Sequence, residues 1–145
     1  MLPRWHIVLG ALFTLLFWIV APQTHWYYLA VLFLSSFLID FDHYVCAASK
    51  GENISLKKSF DYHKDAQKIE QKEYRRGIKR KGDFHLFHTV EFHLLIGVLG
   101  IFWSVFFYIF IGMIFHSLID VFDMVSKDRL YRREYFFFNW LRKKI

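Results

Sequence analysis

Sulfur chemistry is nearly missing from this chain, which has a single cysteine, Cys46, among 145 residues. No intrachain disulfide can form, a zinc motif built on thiolates is excluded, and the redox compartment stays open. Lys and Arg are scarce in the long apolar runs and crowd elsewhere. Near the start there is only Arg4, whereas eleven lie from Lys50 to Lys81 and seven from Lys127 to Lys144. Beside membrane spans such clusters are cytoplasmic flanks facing anionic lipid rather than nucleic-acid sites, so no nucleic-acid partner is expected. The first 23 residues carry a basic residue and an apolar stretch, as a signal peptide does. They lack a small-residue cleavage site, so a retained span is expected.

What is present is hydrophobic: 55% of the residues, with 18 Phe, 8 Tyr and 5 Trp. A soluble domain of this length has little use for so many long apolar runs, and an integral membrane protein is expected. Residues 5–21 form a first span, just long enough for a hydrocarbon core of about 30 Å. After the polar turn Pro22-Gln23-Thr24-His25, Trp26-Tyr27-Tyr28 supplies interfacial aromatics for a second span over 26–46. From Phe84 to Val125 the chain is apolar for a length that as one helix would measure about 60 Å, so it must fold back. The weak helix formers near Gly97, Gly100 and Trp103-Ser104 give spans over 85–103 and 106–125.

Four spans put Arg4, the basic loop 47–84 and the basic tail 126–145 on one side, whereas three would separate loop from tail. The expected fold class is therefore an all-α integral membrane protein forming a single domain over 1–145. It has four transmembrane helices and lies in the inner or plasma membrane with both termini cytoplasmic. The charged loop has the pattern of a short surface helix from Ser59 to Arg76. In the tail, cations mixed with aromatics read as a segment lying in the membrane interface.

This topology brings three polar clusters to one depth. Asp40, Asp42 and His43 end the second span; His85, His88 and Glu91 open the third; His116, Asp120 and Asp123 close the fourth. On a helix His116, Asp120 and Asp123 fall within about 60° of one face. His85, His88 and Glu91 cover about 120° of another, and His93 stands about 140° from His88. A lone His or Asp in a membrane helix is commonly a hydrogen-bond partner or proton relay. Nine such groups at one depth point instead to a metal pocket. Imidazole with carboxylate suits Zn²⁺, Mn²⁺ or Fe²⁺, and the donors suffice for one ion or for two bridged by a carboxylate. The expected ligands are Asp40, Asp42, His43, His85, His88, His116 and Asp120, with Glu91 or Asp123 moving the proton.

The ordered series Asp40-x-Asp42-His43, a His-rich entry to the next span, and His116-x-x-x-Asp120 resembles the family described as membrane-bound metal-dependent hydrolases, which includes LexA-regulated inner-membrane proteins of bacteria. In that family a Pro usually precedes the first Asp, where this chain has Ile39. The family's middle motif often reads His-Arg-Gly-x-x-His, and here His88-Thr-Val-Glu-Phe-His93 keeps both His without Arg-Gly. Either His85 or His93 could join His88 at the metal. The resemblance implies hydrolysis at the membrane face.

The residues and the resemblance together give the expected function: a phosphoesterase working at the cytoplasmic mouth on a phosphoester, with membrane lipid as partner and an anionic lipid as one candidate substrate. Two rivals are a di-iron oxidoreductase of lipid chains and a metal or proton transporter. A transporter would need polar groups along the whole route, but here they gather at one side.

Overall fold

The structure is a computed structural model that describes residues 3–50 and 56–145, with the side chains at 3, 50, 56–61 and 63 excepted. Every element among the described residues is helical. The apolar runs form α1 (Pro3–Val20), α2 (Trp26–Leu38), α5 (Val90–Phe102) and α6 (Ser104–Ser126). Between them, α3 (Phe41–Lys50) continues α2 after a turn at Ile39 and Asp40, and α4 (Leu56–Arg75) carries the charged sequence. The short α7 (Phe137–Arg142) ends the chain. The 47–84 stretch is thus helix for much of its length, and the helix expected over Ser59 to Arg76 begins three residues earlier.

The reversal inside the long apolar stretch takes a single residue. Trp103 is extended (φ −135°, ψ 118°) and serves both helices: its N–H closes α5 on the Leu99 carbonyl at 3.0 Å, while its carbonyl accepts from Phe106 N–H at 3.0 Å to open α6. So tight a hairpin needs bare backbone where the helices meet. A Cβ on Gly100 would stand 2.9 Å from Phe107 Cα.

The central pair is α2 against α6, with α1 packed on both and α5 packed on α6. Small residues permit the α2–α6 approach. A Cβ on Gly112 would lie 2.6 Å from the Leu32 carbonyl and would also collide with the Ser35 hydroxyl. The start of α1, the ends of α2 and α6, and the start of α5 all lie at one end of this bundle, as their shared contacts below establish.

Apolar surface is left outside. Leu16 and Ile19 on α1, Leu94 and Ile101 on α5, and Leu118 and Phe122 on α6 are all exposed. The accessible surface of 10025 Å² exceeds the roughly 7900 Å² expected of a compact soluble chain of 17.6 kDa. The helices Trp26–Ser49 and Ser104–Ser126 are long and apolar enough to cross a membrane, and Arg4–Val20 and Val90–Phe102 are shorter apolar helices.

The tail is held against the segment before α5. Gly82 N–H donates to the Arg132 carbonyl at 2.8 Å, Val90 N–H donates to the Tyr135 carbonyl at 2.9 Å, and Phe84 stacks on Trp140 at 4.1 Å. Arg129 and Arg132 reach the buried Glu70 on α4 at 3.1 and 3.4 Å. Contacts to protein, and not only an apolar face, therefore organise the segment expected to lie in the interface.

Candidate metal centre

On a continuous helix, positions 40 and 42 point about 200° apart. The turn at Ile39 and Asp40 removes that constraint, and the two carboxylates close on opposite sides of one imidazole. Asp42 Oδ2 lies 3.1 Å from His88 Nδ1, and Asp40 Oδ1 lies 3.6 Å from His88 Nε2. His88 itself is set by a 3₁₀ turn, Leu86–His88, which Thr89 ends by donating its hydroxyl to the Leu86 carbonyl at 2.8 Å. The same hydroxyl oxygen accepts from Phe92 N–H at 3.3 Å and caps α5.

His116 arrives from α6 and is fully buried. Its Nδ1 donates to the Ser36 carbonyl at 2.9 Å, as His88 Nδ1 donates to Asp42. Both rings therefore turn Nε2 inward, and those nitrogens face each other at 3.3 Å. Around them stand Asp40 Oδ1, 3.4 Å from His116 Nε2, and Asp120 Oδ2, 3.6 Å from His116 Nε2 and 3.9 Å from His88 Nε2. One donor atom from each of Asp40, His88, His116 and Asp120 fits within a sphere where all lie inside 4.8 Å of one another.

A tetrahedral ion with bonds of 2.0–2.1 Å holds neighbouring donors about 3.3–3.4 Å apart. The two imidazoles already have that spacing, and the carboxylates need to close by roughly half an ångström. A single proton between the nitrogens would satisfy that pair of atoms alone, whereas all four donors lie close enough together to share one divalent cation. The second nitrogen of each ring is committed to a carboxylate or a carbonyl, which is the support that fixes metal-binding histidines in orientation.

Two residues that the sequence reading passed over belong here. His6 on α1 is 1% exposed, with Nδ1 3.0 Å from Asp40 Oδ2 and Nε2 3.1 Å from Asp120 Oδ1. It occupies the outer oxygen of each carboxylate and leaves the inner ones for the cluster. Arg133 from the tail donates through Nη2 to Asp120 Oδ2 at 2.7 Å. Its own carbonyl accepts from Lys81 Nζ at 3.0 Å.

The remaining expected site residues are placed as follows. Asp42, His43 and His85 flank His88: the rings of His43 and His85 are 3.7 Å apart, and His85 Nδ1 is 3.7 Å from Asp42 Oδ1. His93 points the other way, with Nε2 2.9 Å from the Ser117 hydroxyl and Nδ1 donating to the Thr89 carbonyl at 2.9 Å. Of the two candidate partners for His88, His85 is the one beside the cluster. Glu91 lies outside it. Its carboxylate accepts from Phe137 N–H at 2.9 Å and Phe138 N–H at 3.3 Å, and so anchors the tail. Asp123 holds Lys127 Nζ at 2.6 and 2.8 Å, one turn further along α6 from Asp120.

Compared with protein families, curated proteins and solved structures, the chain matches none.

Proposed function

We propose that this protein is a membrane-embedded, metal-dependent hydrolase that cleaves a phosphoester at the cytoplasmic face. The convergence of His88 Nε2, His116 Nε2, Asp40 Oδ1 and Asp120 Oδ2 on one point carries the reading. In this reading α1, α2, α5 and α6 each cross the bilayer, the first and third being short for the task, and both termini face the cytoplasm with the basic loop and tail. The sequence resemblance to membrane-bound metal-dependent hydrolases supports the reaction class.

Bound divalent metal supplies Lewis acidity and water made acidic enough to ionise near neutral pH. The chain's own residues supply the rest. His6, Asp42 and the Ser36 carbonyl hold the four ligands in orientation. Arg133, at the edge of the cluster, fixes Asp120 and brings a guanidinium to where an anionic ester would arrive. Exposure falls from 31% at the His43 side chain to 20% at Asp40 and none at His88 and His116, so access is from the His43 side.

A lipid ester fits the surroundings. An apolar groove of about 340 Å³ runs between α2, α5 and α6, bounded by Leu38, Ile39, Phe87, Phe92 and Met113. Ile39 and Phe87 immediately precede Asp40 and His88, so hydrocarbon and ligands meet at the groove's end.

The test is turnover of a panel of lipid phosphoesters in mixed micelles, with manganese or zinc present and then chelated. Metal-dependent release of phosphate or headgroup, lost in His116→Ala, is the expected result. Turnover of no ester, by protein that holds metal, rejects the hydrolase reading. Bound iron with visible absorption would turn it toward the oxidoreductase.

A further inference from the structure

The four-residue cluster explains Asp40, His88, His116 and Asp120 but leaves its outer neighbours unexplained. Asp42 uses Oδ2 for both Phe87 N–H at 3.0 Å and His88 Nδ1 at 3.1 Å. Its other oxygen, Oδ1, is buried without a hydrogen-bond partner, and so is Nδ1 of His85. These two atoms face each other at 3.7 Å, beyond hydrogen-bond reach, on side chains only 9% and 10% exposed. Buried polar atoms in this state are rare in folded proteins and call for an ion or water. His43 completes the outline. Its ring lies against that of His85, and its Nε2 is 3.5 Å from Asp40 Oδ1. Asp42, His43 and His88 also offer donor atoms within 4.8 Å of one another.

We infer that a second divalent cation binds on the outer side of the first, held by Asp42, His85 and His43, with Asp40 shared between the two ions. Asp40 Oδ1 is placed for that sharing. It lies 3.4 and 3.6 Å from the inner nitrogens of His116 and His88, and 3.5 Å from the outer nitrogen of His43. A carboxylate between neighbouring ions is the usual bridge in two-metal hydrolytic sites. The inference rests on the inner cluster being a metal site, and it assigns the two ions different work.

Four protein side chains would surround the inner ion, and two of them, His88 and His116, have no exposed side-chain surface. The outer ion would have three ligands of its own beyond the bridge, and one of them, His43, is the most exposed of the set, with 31% of its side chain accessible. Substrate therefore meets the outer ion. Charge supports the same order. Asp40, Asp42 and Asp120 share the pocket with the guanidinium of Arg133. One divalent ion brings this set close to neutral, and a second makes the mouth positive, which suits an anionic ester.

Manganese alone is the probe, added to full-length protein in detergent and followed by metal analysis after desalting and by low-temperature EPR. About two ions per chain are expected, with the exchange-coupled spectrum of a bridged pair. Asp42→Asn keeps an amide oxygen for Phe87 N–H and His88 Nδ1–H but replaces the outer oxygen with NH₂. It should retain about one ion and give an uncoupled six-line signal, and so should His85→Ala. Two ions retained in both variants overturns the inference. So does a wild-type protein holding about one ion that His116→Ala removes, a result that leaves the inner centre and the proposed hydrolysis standing. Wild-type protein that binds no manganese or other divalent metal removes both readings together. The wild-type spectrum does not depend on any variant folding.

Discussion

If Asp40, His88, His116 and Asp120 bind a cation, the folded protein must be stabilised by that cation, and the effect can be sized. Metal bound only to the folded state at about 100 times its dissociation constant adds about 2.7 kcal/mol. Unfolding entropy near 2.1 cal/mol/K per residue gives about 0.3 kcal/mol per kelvin for this length, so the midpoint should rise by about 9 °C. The perturbation is His116→Ala. It deletes an Nε2 that sits 3.3 Å from His88 and 3.4 Å from Asp40, one of four converging donors with no substitute on the inner side. Differential scanning of detergent-purified protein, with excess manganese or with chelator, reads the shift within each variant. Any change in stability caused by the substitution itself therefore cancels. Wild type should show the full rise, and His116→Ala and Asp120→Ala less than about a quarter of it. A rise of equal size in all three proteins would mean that metal binds elsewhere and that the convergence of these side chains is packing alone.

Removing Arg133 should matter more without metal than with it. Arg133→Gln leaves buried Asp120 with His6 and His116 still beside it, a loss below the roughly 3–5 kcal/mol of a buried charge left with no partner, and chelated protein should show most of it in thermal denaturation while loaded protein shows little. Gly112→Leu should lower the melting midpoint in both states, because its side chain must displace the Leu32 carbonyl, an overpacking penalty of about 1–3 kcal/mol. Glu91→Ala should expose Phe137 and Phe138 amides to rapid hydrogen exchange while metal stoichiometry stays at the wild-type value; loss of bound metal would return Glu91 to the site. Lys143 and Asn139 beside Glu134 hold its carboxyl below the usual range. That contribution to the tail's own fold is present above the ordinary value of 4.5 and lost as pH falls below it, so tail amide protection should drop in acid.

The helices themselves were legible because hydrophobic length and helix-breaking residues are local properties. The reversal at Trp103 fell among the residues named for it, and the charged helix before α5 was readable from its Glu and Lys spacing. His116 and Asp120 could be paired because a spacing of four places them on one helix face. Three features depended on distant partners. His6 lies in an apolar run where one imidazole gives no pattern; its position near the same bundle end as Asp40 was the available signal. Arg133 is one cation among seven in the tail, and only the docking of that tail on residues 81–91 selects it. Glu91 shares a helical face with His85 and His88 on an ideal wheel. The chain before Val90 is a 3₁₀ turn instead, so the wheel did not apply. The bend before Phe41 was likewise hidden, since Leu38-Ile39-Asp40-Phe41 contains neither Gly nor Pro.

That bend ties the surroundings of His88 to the angle between α2 and α3. One carboxylate approaches each ring nitrogen from either side of the joint, so straightening the joint would pull Asp40 and Asp42 off the ring in opposite directions. A force that tilts α3, such as a change in the charged segment it leads into, would thereby reach the deepest donors without passing through the bundle core. The joint is a lever whose short arm ends at a single imidazole.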